Sequence, residues 1–181
     1  TSVIAKAADA GYRLFIILSG MSNALREQTQ ARLQAQLVDP NSDAWYRLTE
    51  PDTVTDANIV FTGDFSGDAN ANAVLGPHAE ALRALAVVKK NGHRLRALRD
   101  WVASAAGTVM AGCPVLIIDD EADQASINVA RAEDQPTAIN GLIREIVQML
   151  PKVTYVGYTA TPFANVLIDP AQGDDLYPKN F

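Results

Sequence analysis

Four apolar residues, Val115-Leu116-Ile117-Ile118, run directly into Asp119-Asp120-Glu121-Ala122-Asp123. A buried β-run that releases adjacent carboxylates at its end suits the hydrolysis of a nucleotide. One carboxylate has to reach a magnesium ion, usually across its water shell, because magnesium gives up water reluctantly. Its neighbour has to orient and polarise the water that attacks the γ-phosphate. Consecutive residues at a strand-to-loop junction can send both groups into one crevice. This reading assigns Asp120 to the metal and Glu121 to the water, with Asp119 as a supporting acid. Taken alone, the run is accounted for equally well by a solvated acidic turn after a core strand.

Two further groupings bear on the choice. Thr159-Ala160-Thr161-Pro162 closes the apolar run 153–158. Its hydroxyls, beside the acid pair, could bond a carboxylate and pass the state of a bound phosphate to neighbouring loops, although threonines also cap ordinary turns. Ser19-Gly20-Met21-Ser22 leads into Asn23-Ala24-Leu25-Arg26-Glu27-Gln28. Ser22 and Asn23 are good helix N-caps, and a helix start offers free N–H groups to a nucleic-acid phosphate. Arg26 and Gln28 are the candidate contacts there, with Lys89 and Lys90 as a second pair; an ordinary capped helix is the competing account.

These groups need a scaffold that gathers strand ends. Residues 1–10 are predicted to be a helix stopped by Gly11, and 13–19 a strand buried on both faces. A helix is expected over 22–38, where Leu25, Thr29, Leu33 and Gln36-Leu37 recur as a stripe at near-helical spacing, ended by Asp39-Pro40. Residues 41–57 are polar and turn-rich. A strand is expected at 58–62, an exposed loop at 63–77, a strand at 84–88 and an amphipathic helix at 93–106. Strand 115–118, helix 136–150 and strand 153–158 complete the pattern. Strands alternating with helices predict an α/β fold, three-layer and doubly wound on a mainly parallel sheet, with ligands beyond the strands' carboxyl ends.

Composition narrows the function classes. The chain has 181 residues, 48% of them apolar and 20% charged, enough for one ordinary core. No apolar run approaches the ~20 residues that cross a bilayer, so no membrane role is expected. The single cysteine, Cys113, permits no internal disulfide and reads as a buried structural thiol in a cytoplasmic protein. A net charge of −6 argues against strong nucleic-acid binding by this chain alone. His78 and His93 read as lone surface or capping groups, and Trp45 and Trp101 as packing residues. Lys89, Lys90, Arg94, Arg96 and Arg99 form the one basic stretch, either a phosphate-contacting edge or a solvated helix face.

Together these groupings resemble the first RecA-like domain of a superfamily-two helicase or translocase. Val115 to Glu121 has the Walker B pattern, and Asp120-Glu121-Ala122-Asp123 spells the DEAD form of motif II. Thr159-Ala160-Thr161-Pro162 is similar to motif III of restriction-enzyme motors. Leu25 to Gln28 stands where motif Ia does, and Lys89 to Leu95 where motif Ib would be. Residues 5–13, 25–32, 119–128, 155–165 and 175–181 more closely resemble the bacterial Z-one domain family of candidate endonucleases, often encoded near restriction or ATPase genes. The resemblance implies a P-loop NTPase that hydrolyses ATP with magnesium (Mg2+) and engages DNA. It implies that a second RecA-like domain supplies an arginine, and that Thr159, Thr161 and Asp123 couple hydrolysis to movement.

One departure is plain: no Gly-Lys pair occurs in the chain, so the phosphate loop G-x-x-x-x-G-K-[ST] is absent. The family places that loop just before Thr1, so the chain reads as an incomplete RecA-like domain lacking an N-terminal segment. By itself it is expected neither to hold ATP tightly nor to hydrolyse it. The missing strand would leave 153–158 at an open edge, which could be covered by a terminal segment, pair with a second chain as a dimer, or stay exposed. Two other function classes remain as alternatives. A metal-dependent nuclease could use Asp119, Asp120, Glu121 and Asp123, but no lysine follows them before Lys152. A non-catalytic binding or receiver-type module also carries adjacent aspartates, although receivers place theirs after the first strand.

Overall fold

The computed structural model describes residues 1–38, 44–49, 53–55, 58–60, 65, 71–76, 81–105, 107–123 and 138–161. In chain order the elements are α1 (Ser2–Asp9), β1 (Leu14–Ser19), α2 (Asn23–Leu37), β2 (Trp45–Arg47), β3 (Thr53–Thr55), β4 (Asn58–Val60), α3 (Ala71–Leu75), β5 (Arg83–Lys89), α4 (Gly92–Ala103), α5 (Gly107–Gly112), β6 (Val115–Asp120), α6 (Ala138–Gln148) and β7 (Val153–Tyr158). Five strands form one sheet in the order β2-β5-β1-β6-β7, with every pairing parallel. β3 and β4 make a separate antiparallel pair with Val54 opposite Ile59.

Central strand β1 is buried at all six positions, which is why Leu14 to Leu18 shows no apolar–polar alternation. Leu14, Ile16 and Leu18 join Val115 and Ile117 of β6 on one face, under Leu95, Leu98 and Trp101 of α4 and Ile143 and Ile146 of α6. Phe15, Ile17, Leu116 and Ile118 face the other way, under Ile4 and Ala8 of α1 and Leu33 of α2. Helix layers on both faces of a parallel sheet make the expected three-layer α/β architecture. Each large apolar side chain fully enclosed there stabilises the fold by about 1.5–3 kcal/mol relative to exposure.

Local signals end the first helix as expected. Gly11, at φ +92°, takes the left-handed position that stops α1. Tyr12 N–H then reaches back to Ala7 O (3.0 Å) and Gly11 N–H to Ala8 O (3.1 Å), closing the helix end. At the start of α2, Ser22 Oγ accepts from Leu25 N–H at 3.3 Å, the cap anticipated from its residue type.

Three expectations need correction. The core face of α2 carries Arg26, Gln30 and Leu33, while Leu25 is exposed, so the stripe is rotated from the one expected. The cause lies in the sheet: β2 pairs with β5 only as far as Arg47 opposite Leu85, and β5 continues. The next outward-facing peptide groups of β5, at Val87, are buried and still need partners. Thr49 Oγ1 accepts from Val87 N–H (2.8 Å) and donates to Gln30 Oε1 (2.9 Å), while Arg26 Nε donates to Val87 O (3.1 Å). Second, β2 lies inside the stretch read as turn-rich; Trp45 packs on Phe15 with ring centroids 5.2 Å apart. Third, part of the exposed loop expected at 63–77 is α3, whose Ala71, Val74 and Leu75 are in the core. The rest of that range, apart from Phe65 and Gly76, lies outside the described residues. α5 adds Met110 to the buried core.

Cys113 is fully buried, and loss of solvent pushes its thiol pKa up, consistent with a packing role. Trp101 is buried and packs against Phe65. His78 and Pro136 lie outside the described residues, as do 124–128, 162–165 and 175–181 of the segments that carry the family resemblance. Among the described residues no helix is long and apolar enough to cross a membrane.

Candidate functional site

β6 and β7 end side by side, with Asp119 opposite Gly157 and Asp120 opposite Tyr158. Because side chains alternate along a strand, Asp119 and Asp120 leave β6 on opposite faces. Asp119 turns under the α4 layer and is fully buried. Its Oδ1 accepts from Lys90 Nζ at 2.9 Å, both side chains being sealed from solvent, and its Oδ2 accepts from the Tyr155 hydroxyl at 2.5 Å. That carboxylate is committed to the interior.

Asp120 is exposed on the α1–α2 side. There it lines a cleft of about 250 Å³ with Thr1 and Ser2 from the α1 end, Thr29 and Arg32 of α2, and Tyr158. Glu121 comes next, at φ +55°, a left-handed conformation that costs a side-chain-bearing residue about 1–2 kcal/mol. Its carboxylate lies against Gly20 at the end of β1: a Cβ placed on Gly20 would sit 2.2 Å from Glu121 Oε2 and 3.2 Å from Leu25 Cδ1. Glu121 therefore leans toward the start of α2, the helix that also borders the Asp120 cleft. Both acids thus belong to one side of the sheet's carboxyl edge.

Ala122 N–H donates to Tyr158 O at 2.9 Å, which extends the β6–β7 contact past the strand end. Asp123 then receives two hydroxyls: Thr159 Oγ1 donates to its Oδ1 and Thr161 Oγ1 to its Oδ2, each at 2.6 Å. Thr159 Oγ1 also accepts from Thr161 N–H at 2.9 Å, closing the turn on itself. The Asp123 carboxyl is held below the usual carboxylate range, first by the Thr159 hydrogen bond and then by that of Thr161. A carboxyl with a depressed folded pKa contributes stability above its unfolded pKa and loses it as pH falls through the folded value. The variant with both threonines replaced by valine should therefore be less stable than the parent near neutral pH. The gap should narrow below the ordinary carboxylate range, about pH 3.9. Carboxyl NMR titration of Asp123 and melting curves from pH 6 to 2 would read both effects; parallel curves across the range would contradict them.

The sites expected to touch nucleic acid are not one surface. Arg26 is buried against Val87 O, and Lys90 is buried against the acidic turn, so neither presents its charge to solvent. Gln28 is exposed on α2, and Lys89 is half-buried with Nζ donating to Asn23 Oδ1 at 2.7 Å. The wider basic stretch is likewise divided: Arg94 is buried, and Arg99 bonds Asp100 and Glu145. Among the described residues no three His, Cys, Asp or Glu side chains gather so as to hold a metal ion by themselves. The four acids named for a nuclease are split, Asp119 to Lys90 and Tyr155, Asp123 to the two threonines. Sequence reasoning did not find Lys90, Tyr155 and Gly20 as partners of the acids; the one local signal was the placement of Lys90 just beyond an apolar strand.

No protein-family model, curated protein or solved structure matches this chain.

Proposed function

We propose that this chain is the acid-bearing part of a superfamily-two-type ATPase domain. In the intact cytoplasmic protein it would act on DNA as a motor or switch, in a restriction-type endonuclease system of the Z-one kind. The observation that carries the reading is the clasp of Asp123 by Thr159 and Thr161. It makes the Asp-Glu-Ala-Asp turn and the Thr-Ala-Thr turn one mechanical unit at the ends of adjacent parallel strands. A solvated acidic turn gives no reason for that tie.

The residues fit the roles. Magnesium bound with ATP is commonly held by one or two carboxylates, waters and phosphate oxygens, and exposed Asp120 beside the cleft supplies such a carboxylate. Bound magnesium would supply neutralisation of the phosphate charge. Glu121 orients and polarises the attacking water, and Asp123 with the two threonines carries the hydrolysis state to the next loops. The phosphate loop and a second RecA-like domain with its arginine would come from the rest of the protein. Among the described residues β7 pairs with β6 alone and exposes Tyr158, and a further strand would fit on that side.

The test is Glu121→Gln in the ATP-binding protein, with nucleotide affinity and turnover measured separately. A second check uses the Gly20 contact. Gly20→Ala should push the Glu121 carboxylate aside and lower turnover at least tenfold, with stability changed by less than about 1 kcal/mol. Unaltered turnover in a folded Gly20→Ala protein would remove Glu121 from the role in this conformation.

A further inference from the structure

Lys90 is a buried cation that the hydrolytic reading does not use. It follows β5, and its ammonium carries three N–H donors. Three acceptors lie close: Asp119 Oδ1 at 2.9 Å, Asp120 O at 2.8 Å and Glu121 O at 2.7 Å. The last two are main-chain carbonyls of the residues assigned to magnesium and water.

Their positions in the chain decide what they do. The Asp120 carbonyl belongs to the peptide plane before the Glu121 Cα, and the Glu121 carbonyl to the plane after it. Holding both planes fixes φ and ψ of Glu121, and with them the direction of its Cα–Cβ bond. That restraint is needed because φ +55° is a conformation a glutamate leaves readily when unsupported. The second plane is gripped on its other side too, through Ala122 N–H to Tyr158 O. Asp119, fixed by the Tyr155 hydroxyl, in turn anchors the ammonium.

We propose that Lys90 is a positioning residue that aims Glu121 by clamping the two peptide planes around it. The proposal rests on the hydrolytic reading of Glu121. Lys90 touches no reacting group; it acts through the main chain, and Asp119 and Tyr155 hold it in register. A misplacement of about 1 Å at a reacting group can cost on the order of 10²-fold in rate.

The experiment uses the full-length ATP-binding protein and the double variant Lys90→Met with Asp119→Asn. It removes the clamp without leaving a buried charge unpaired and keeps an acceptor for Tyr155. Nucleotide affinity should stay within about threefold of the parent while kcat falls about 10²-fold, the split expected of a group that serves only the reaction. Independently of activity, hydrogen–deuterium exchange at the Ala122 amide should accelerate at least tenfold while β1 and β5 amides keep their protection. A folded double variant with kcat within twofold of the parent would overturn the proposal. So would unchanged exchange at Ala122, or exchange raised equally across the whole sheet, which would make Lys90 a contributor to stability alone. Glu121→Gln run alongside separates the layers. If that variant loses turnover and the double variant keeps it, only the Lys90 assignment fails; if Glu121→Gln itself keeps turnover, both fail.

Discussion

If Glu121 activates water as proposed, its replacement with glutamine is expected to cut ATP turnover about 10²–10⁴-fold while nucleotide affinity stays within a few-fold. The substitution keeps volume, shape and one acceptor oxygen, and it removes the charge that the proposed role requires. Glu121 is half-buried with its carboxylate lying against Gly20, so the amide should fit where the carboxylate lies. Its main chain, held through Lys90 and Tyr158, should not move. A fall in affinity with turnover preserved would mean that the residue holds the ground state in place of activating water. Turnover equal to the parent's would end the hydrolytic assignment. Asp120→Asn offers the contrast: under the proposed magnesium role it should raise the magnesium requirement before it lowers maximal turnover.

How far such roles can be read from residue order depends on the distance over which each is decided. β6 was legible because four apolar residues followed by acids state both a buried strand and its end. The Gly11 stop and the Ser22 cap were legible for the same reason, since each is settled within a few residues. β2 was not: Trp45-Tyr46-Arg47 has only three residues, and its pairing with β5 is what makes it a strand. α3 sits in an Asn- and Ala-rich tract without a turn's worth of apolar signal, and the core accepts it through Ala71, Val74 and Leu75. The face of α2 was misjudged because burying Arg26 and Gln30 makes sense only once β5 is seen to outrun β2. At the site, Asp120-Glu121 and the threonines could be named from spacing, but the partners of Asp119 could not. Lys90 lies 29 residues away in sequence and looks like one member of a basic run until β1, β5 and β6 are aligned.

That distant pair sets the largest stability effect expected in the fold. Asp119→Ala leaves the Lys90 ammonium sealed from solvent without its carboxylate, a change that costs about 3–5 kcal/mol for a buried pair broken on one side. At about 2–4 °C per kcal/mol for a chain of this size, melting should fall by roughly 6–20 °C. Lys90 keeps two carbonyl acceptors, which argues for the lower half of that range, whereas the Tyr155 hydroxyl loses its acceptor, which argues for the upper. Neutralising both partners should recover most of the loss, because desolvating two charges nearly cancels their attraction in the interior. The Lys90→Met, Asp119→Asn protein should therefore melt well above Asp119→Ala. What it does not recover measures the carbonyls of Asp120 and Glu121 left without a donor, about 1–3 kcal/mol for each group that water cannot reach. A double variant no more stable than Asp119→Ala would show that the strength of this corner lies in the clamp on the turn and not in the ion pair.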